Sequence, residues 1–278
     1  MIVKQSPAKI NLILNVLRKR KDGYHDIATL MQRISLYDEA KFSLKGETIA
    51  VRCPGSSLPE NEENIVYSAA EAFFSYVSYS SGVEITINKR IPIAAGLGGG
   101  SSNAATTIVT LNDMIGSNCS QKELMKIGTK IGADVPFFIF GKTAWAFGIG
   151  DSLQIAEDIP LMWFVLVNPG FEVSTKKVYE ELKLGLTKEI IKYSIPRFTK
   201  VSQVSEKLFN DLETVTLEYH PVLSEIKGLL MEYGALGSLM SGSGPTVFGV
   251  FTGERNALNA AAELKKAKVG SVFTAHSI

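Results

Sequence analysis

The chain has 278 residues, 45% of them hydrophobic, enough to bury a substantial core as one large domain or two ordinary ones. Its 29 basic and 28 acidic residues leave a net charge of +1, so no overall field recruits nucleic acid or an acidic membrane, and an anionic ligand must be gripped locally. Two cysteines without a CxxC pair, Cys53 and Cys119, and three scattered histidines, His25, His220 and His276, exclude a disulfide framework and a zinc-site spacing.

The first apolar stretch carries Lys4 and Lys9 and lacks a cleavage-site pattern, and no segment approaches the ~20 apolar residues of a membrane span. The expectation is a soluble, cytoplasmic protein without a membrane or nucleic-acid partner. From Ala8 to Val16, Ala8, Ile10, Leu12, Leu14 and Val16 alternate with Lys9, Asn11, Ile13 and Asn15, which predicts a strand. Asn61–Val77 places Ile65, Ala69, Ala72, Phe73 and Tyr76 on a helical stripe behind an acidic first turn. Val83–Ile91 alternates again as a strand, and Ser101–Met114 returns to helical spacing.

Ser120 with Glu123 three residues on forms a capping box for the next helix, and Gly132 suits its end, so Asp134 falls just past a helix terminus. Residues 137–148 read as a strand closed by the turn GIGD at 148–151. A domain boundary is expected there, giving domains 1–152 and 153–278. Beyond it come a strand at Met162–Asn168, a helix from Ser174, a weakly patterned stretch at 185–203, two helices, and SLMSGSGPTVFGVF at 238–251.

Between the second strand and the following helix lies PIAAGLGGGSS, residues 92–102. It is not a P-loop, because Ser101 and Ser102 stand where that pattern needs glycine and lysine, and a dinucleotide fingerprint from Gly96 fails at Ser101. Two readings remain. One is a flexible glycine turn with an N-capping serine. The other is a phosphate cradle, in which bare backbone N–H groups and the helix N-terminus converge on an anion, and Ser101 and Ser102 add hydroxyls to phosphate or magnesium.

The strings SPAKINLIL (6–14), DGYH (22–25), PIAAGLGGGSSNAA (92–105), GADVPFF (132–138) and SGSGPTVFG (241–249) occur in this order and resemble the GHMP small-molecule kinases. The resemblance spans nearly the whole chain, is dense over 1–150 and weakens between 185 and 235. It implies an α+β, two-domain GHMP kinase fold with the active site in the cleft between domains. PAKINL followed closely by DGYH looks like the branch of this superfamily that uses a cytidyl diphosphate alcohol. The implied reaction moves the γ-phosphate of ATP, with Mg2+, to the tertiary 2-hydroxyl of a methylerythritol carrying that cytidyl diphosphate, a step of non-mevalonate isoprenoid synthesis. The expected assembly is a monomer or weak dimer.

The resemblance also implies residue roles. Asp134 is the expected base on the alcohol, and Lys9 the ammonium near the reacting hydroxyl; Asn11, on the face of Lys9 by period two, holds the polyol. Tyr24 and Tyr179 are expected to stack on the cytosine, with His25 reading its edge. Pro92, Ile93, Ala94, Ala95, Gly96, Leu97, Gly98, Gly99, Gly100, Ser101 and Ser102 form the ATP loop, with Asn64 at the ATP base. Gly242, Ser243 and Gly244 lie close to the substrate. Asn103 stands where many relatives have aspartate, a mild departure that leaves the magnesium ligands open. The alternatives are a homoserine or mevalonate type of kinase without a cytosine pocket, and a nucleotide-binding module without turnover.

Overall fold

The computed structural model describes residues 1–183 and 195–278. Of the weakly patterned stretch 185–203, residues 185–194 lie outside the described residues. Two compact units are assembled from interleaved segments: the first from Met1–Ala8, Tyr37–Pro92 and Gly98–Gly141, the second from Lys9–Leu36, Ile93–Leu97 and Lys142–Ile278. The long strands β1 (Ile2–Lys19) and β2 (His25–Ser43) therefore contribute to both.

In the first unit β3 (Ile49–Arg52) runs parallel to β4 (Val83–Asn88), and β4 pairs antiparallel with Glu39–Ser43 of β2. Val83, Ile85 and Ile87 of β4 are buried while Glu84 is exposed, the alternation expected of a strand with one face on the core. The helices are α1 (Ile65–Val77), α2 (Gly99–Ile115), α3 (Gln121–Ile131) and α4 (Val135–Phe140).

Helix α1 starts later than its sequence pattern implies, because the Asn64 side chain caps it by accepting from Val66 N at 2.9 Å. Glu62 and Glu63 thus precede the helix, and no acidic residue lies in its first turn. The buried face is Val66, Ala69, Ala70, Phe73 and Phe74, which leaves Tyr76 exposed with its hydroxyl donating to Glu123 Oε1 at 3.0 Å. The capping box of α3 forms as expected. Gly132 ends that helix in an extended conformation, φ −176°, which any residue adopts, and a Cβ there would make only ordinary contacts, so neither handedness nor space demands glycine.

The expected strand at 137–148 is corrected. Residues Val135–Phe140 are the helix α4, and only Ala144–Gly148 form a strand, β5. An apolar run such as FFIF carries no period, so its neighbours decide: Pro136 lies in the first turn, where its missing N–H is harmless, and Gly141 terminates with φ +74°. Val135 through Ile139 are all buried, so α4 is held by packing on every side, and Phe137→Ala would cost about 3–5 kcal/mol.

The second unit begins with β5 and β6 (Ser152–Ile155), a hairpin around the turn at 148–151, and β5 pairs antiparallel with Ile27–Met31 of β2. It continues through β7 (Trp163–Asn168), α5 (Thr175–Glu181), α6 (Val201–Ser205), β8 (Phe209–Asn210), α7 (Asp211–Tyr219) and α8 (Val222–Glu232). Then come β9 (Gly237–Met240), β10 (Val247–Phe251), α9 (Glu254–Ala267) and β11 (Ser271–His276). Strands β11, β7, β10 and β9 form an antiparallel sheet in that order, and β8 joins β1 in parallel at Ile13 and Leu14.

Helices α8 and α9 close one face of the antiparallel sheet. Leu223, Ile226, Leu230, Ala257, Ala261 and Leu264 pack with Val165, Val167, Val247 and Phe251 in one buried cluster. The other face is also buried, with Phe164 edge-on to Phe248 at 6.0 Å.

Candidate active site

Lys9 and Asn11 point the same way on β1, and both are buried. Lys9 Nζ donates to Asn11 Oδ1 at 2.7 Å, Asn11 Nδ2 to Thr29 Oγ1 at 2.8 Å, and Thr29 Oγ1 to the carbonyl of Ile13 at 2.7 Å. This relay fixes the amide orientation of Asn11 and holds the ammonium at a defined place. The backbone of Lys9 acts as well, donating to Leu97 O at 2.9 Å and so fastening the glycine loop to the strand.

The loop itself alternates in handedness. Ala94, Gly96 and Gly98 have φ of +51°, +75° and +68°, and Ala95 and Leu97 between them do not. Such alternation turns successive N–H groups toward one side, the geometry of an anion nest. Ala95 and Leu97 are buried and anchor it, while Ile93 and Ala94 are exposed and Pro92 is half-buried.

At Gly96 a side chain is sterically excluded, because a Cβ would collide with the Ser241 carbonyl oxygen. Ser241 Oγ in turn donates to Gly96 O at 2.9 Å. The SGSG segment is a tight turn with φ of +57° at Gly242 and +86° at Gly244. Asn210 holds it by donating to Met240 O at 2.8 Å and Gly242 O at 2.7 Å.

From that turn the arrangement continues through Ser243, whose hydroxyl lies 2.7 Å from Thr175 Oγ1 at the start of α5. One helical turn on, Tyr179 stacks on His25, ring centroids 5.0 Å apart and planes 29° from parallel. Thr175, Tyr179 and Ser243 thus tie the SGSG turn to the DGYH hairpin within the second unit. Tyr24 is 60% exposed beside them. The hairpin is tightened by Arg20, whose N–H donates to Tyr24 O at 2.8 Å while its guanidinium holds Asp22 and Asp26. Burial, and secondarily the charge of Lys19, push the His25 imidazole below its ordinary range, so it is neutral at neutral pH.

In the first unit the chain enters α2 at Gly98. Gly99 and Gly100 occupy the first helical positions and Ser101 and Ser102 the next two, so the expectation that the serines open the helix is corrected by two residues. No side chain caps this end of a 17-residue helix. The Ser102 hydroxyl and Asn103 Oδ1 are buried there without a hydrogen-bond partner, so this end retains both unfilled polar capacity and a positive dipole. The uncapped backbone N–H groups and the Ser102 hydroxyl are donors that fit a phosphate chain, whereas Asn103 Oδ1 is an acceptor and does not belong to that set.

A Cβ on Gly132 would stand 3.7 Å from Ser101 Oγ, and one on Gly100 would stand 3.6 Å from Ile65 Cγ2. The starts of α1 and α2 and the turn carrying Asp134 therefore converge. Asp134 is half-buried and makes no cap bond to α4. Asn64 donates to Pro59 O at 2.6 Å and Cys53 Sγ at 3.5 Å as well as capping α1, so its amide is already engaged. Among the described residues no group of three or more His, Cys, Asp or Glu is placed to hold a metal ion.

With this geometry in view, two family models match: GHMP kinases N terminal domain over residues 64–142 and GHMP kinases C terminal over 197–270. The protein named 4-diphosphocytidyl-2-C-methyl-D-erythritol kinase from Syntrophus aciditrophicus is 60% identical over 98% of both chains. The chain belongs to the GHMP kinases. The relative of the same name from Geobacter sulfurreducens is 48% identical over 95% of this chain and 94% of its own. A crystal structure of 4-(cytidine 5'-diphospho)-2C-methyl-D-erythritol kinase matches this GHMP kinase with a TM-score of 0.82 and 32% identity over 99% of both chains. A homoserine kinase from Cytophaga hutchinsonii, TM-score 0.78 at 18% identity, shares the fold over 100% of this chain and 94% of its own.

Thr29, Thr175, Asn210 and Thr216 were not anticipated from the sequence. Thr216 donates to Ser243 O at 3.2 Å, and each of these residues acts through a partner distant in sequence, for which single-sequence patterns carry no signal.

Proposed function

We propose that this GHMP kinase phosphorylates the 2-hydroxyl of 4-diphosphocytidyl-2-C-methyl-D-erythritol with ATP, a step in isoprenoid precursor synthesis. The full-length likeness to relatives of that name carries the reading. The pairing of His25 with Tyr179 supports it, because both residues assigned to the base end of the substrate meet in one place. Homoserine and mevalonate kinases share the fold alone.

The substrate hydroxyl oxygen attacks the γ-phosphorus, its proton passes to the Asp134 carboxylate, and the bond from γ-phosphorus to the bridging oxygen breaks to release ADP. Lys9 supplies positive charge to the transferring group, oriented by Asn11 and Thr29. Magnesium, when bound with ATP, offsets phosphate charge. Gly96 through Ser102 cradle the phosphates, and the distortion-free approach of backbone to phosphate is what Gly96 and Gly98 permit. Asn64 adds to the ATP base pocket at the start of α1, whose first turn it caps.

Two aromatic faces around a base stand about 7 Å apart, since each stack is about 3.5 Å. His25 and Tyr179 at 5.0 Å leave no room for a base between them, which favours the expected stack of cytosine between Tyr24 and Tyr179 with His25 at its edge. Gly242, Ser243 and Gly244 approach the methylerythritol. No described helix is long and apolar enough to cross a membrane. The protein acts in the cytoplasm as a monomer or weak dimer, with family domains divided at 152/153; the matched ranges fall on either side of that division. A coupled ADP-release assay with the cytidyl substrate, homoserine and mevalonate tests the assignment. Turnover confined to the cytidyl substrate is expected, and equal or faster turnover of either other alcohol overturns it.

A further inference from the structure

Asp38, in β2, is fully buried, and all four lone-pair positions of its carboxylate are engaged. Oδ1 accepts from the backbone N–H groups of Arg90 at 2.7 Å and Ile91 at 2.9 Å, in the segment that leaves β4 for the glycine loop. Oδ2 accepts from Asn103 Nδ2 at 3.0 Å, in the second turn of α2, and from the Lys89 ammonium. One carboxylate therefore ties the entry of the loop to the helix that leaves it.

Its partners also form the surface on which the helix start rests. A Cβ on Gly99 would stand 3.0 Å from Ile91 Cγ2 and 3.1 Å from Lys89 Nζ. A side chain at residue 99 would require Ile91 and Lys89 to give by a few tenths of an ångström, so the first turn of α2 packs tightly on these groups. A shift of Lys89 or Ile91 would thus be passed directly to the backbone N–H groups that open the helix. The second amide atom of Asn103, Oδ1, is buried without a partner beside the unpartnered Ser102 hydroxyl, so the Asp38 bond is what fixes the amide.

We propose that Asp38 is a positioning residue for ATP, setting the phosphate-binding end of α2 through Lys89, Ile91 and Asn103 without touching the nucleotide. The inference rests on reading that helix end as the phosphate site. Its signature is selectivity: loss of Asp38 acts on ATP and spares the cytidyl substrate. A carboxylate that merely stabilised the fold would affect both.

The test measures binding of magnesium ATP and of the cytidyl substrate by calorimetry for the parent, Asp38→Asn, Asn103→Asp and the double exchange, with circular dichroism to verify folding. In Asp38→Asn an N–H2 group faces the Lys89 and Asn103 donors, and ATP affinity should fall by about tenfold or more with substrate affinity within about twofold. Asn103→Asp sets two carboxylates against each other and should weaken ATP similarly. The double exchange restores one donor opposite one carboxylate and should recover ATP affinity to within about threefold of the parent. If Asp38→Asn does not fold, Asn103→Ala removes a single donor and should lower ATP affinity about threefold with the substrate unaffected. Unchanged ATP affinity in a folded single variant, or parallel loss of both ligands without recovery in the exchange, overturns the proposal. A parent that does not bind ATP refutes the phosphate-site reading itself. A parent that binds ATP but rejects the cytidyl alcohol refutes only the substrate assignment, and the ATP measurements still decide the role of Asp38.

Discussion

Ser241 donates its hydroxyl to the carbonyl oxygen of Gly96 at 2.9 Å, while its own carbonyl occupies the space a side chain on Gly96 would need. Gly96→Ala should therefore strain both segments, since φ there is +75° as well, and ATP affinity should fall by about tenfold or more. Ser241→Ala keeps the space and loses one bond, which predicts a loss of about 1 kcal/mol, or about fivefold in ATP affinity. Calorimetry on the two variants gives the ranking, and a larger effect from Ser241→Ala would contradict it.

The relay from Lys9 through Asn11 to Thr29 separates charge from orientation. Lys9→Met should lower kcat by about 10²–10³ with KM for the alcohol little changed, as expected for a group stabilising charge that develops in the reaction. Thr29→Val is nearly isosteric and leaves Asn11 Nδ2 without its acceptor, so KM for the alcohol should rise a few-fold with a small change in kcat. Steady-state kinetics on both variants would reveal the split.

Asp134→Asn should bind ATP and alcohol with near-parental affinity and lose about 10²–10⁴ in turnover. Asp134 makes no cap bond to α4, so the substitution removes no cap from that helix. Parental turnover in the purified variant would rule out Asp134 as the base.

Because burial and Lys19 depress the folded-state pKa of His25, the unfolded chain protonates this residue first as pH falls past its ordinary value of 6.5. His25 therefore withdraws stability between pH 6.5 and its lowered folded-state pKa, and contributes no slope above 6.5. Affinity for the cytidyl substrate should stay flat through neutral pH and decline only below that lowered value, where the imidazole gains a charge. In His25→Gln both the slope in thermal stability and the acid limb of binding should disappear. Persistence of the same acid limb would assign it to another group.

Tyr24→Ala should weaken cytidyl and uridyl analogues alike, because both bases offer a face to stack on, worth roughly 1–3 kcal/mol. His25→Ala should chiefly narrow the difference between them, since only the edge distinguishes the two bases. Competition binding with both analogues measures this, and discrimination that survives in His25→Ala would place edge recognition elsewhere.

Local rules were legible in the sequence where both partners lie within a few residues. The Ser120–Glu123 box formed as the pattern implied. Strand β2 had no counterpart among the expected elements, because residues 28–32 are buried on both faces and so do not alternate. Phe137–Phe140 was misread because an apolar run without period fits strand and helix equally. At the site, Lys9, Asn11 and the glycine loop announced themselves through short strings. Asp38 and Thr175 did not, since their partners Asn103 and Ser243 lie 65 and 68 residues away.

The interleaving of the two compact units constrains how this enzyme can be dissected. A single cut after residue 152 would leave Lys9–Leu36 and Ile93–Leu97, both parts of the second unit, covalently attached to the first fragment. Neither product would own a complete set of strands. Such a split protein should regain activity only when the two pieces are present together during refolding, which makes the chain a natural candidate for a fragment-complementation reporter.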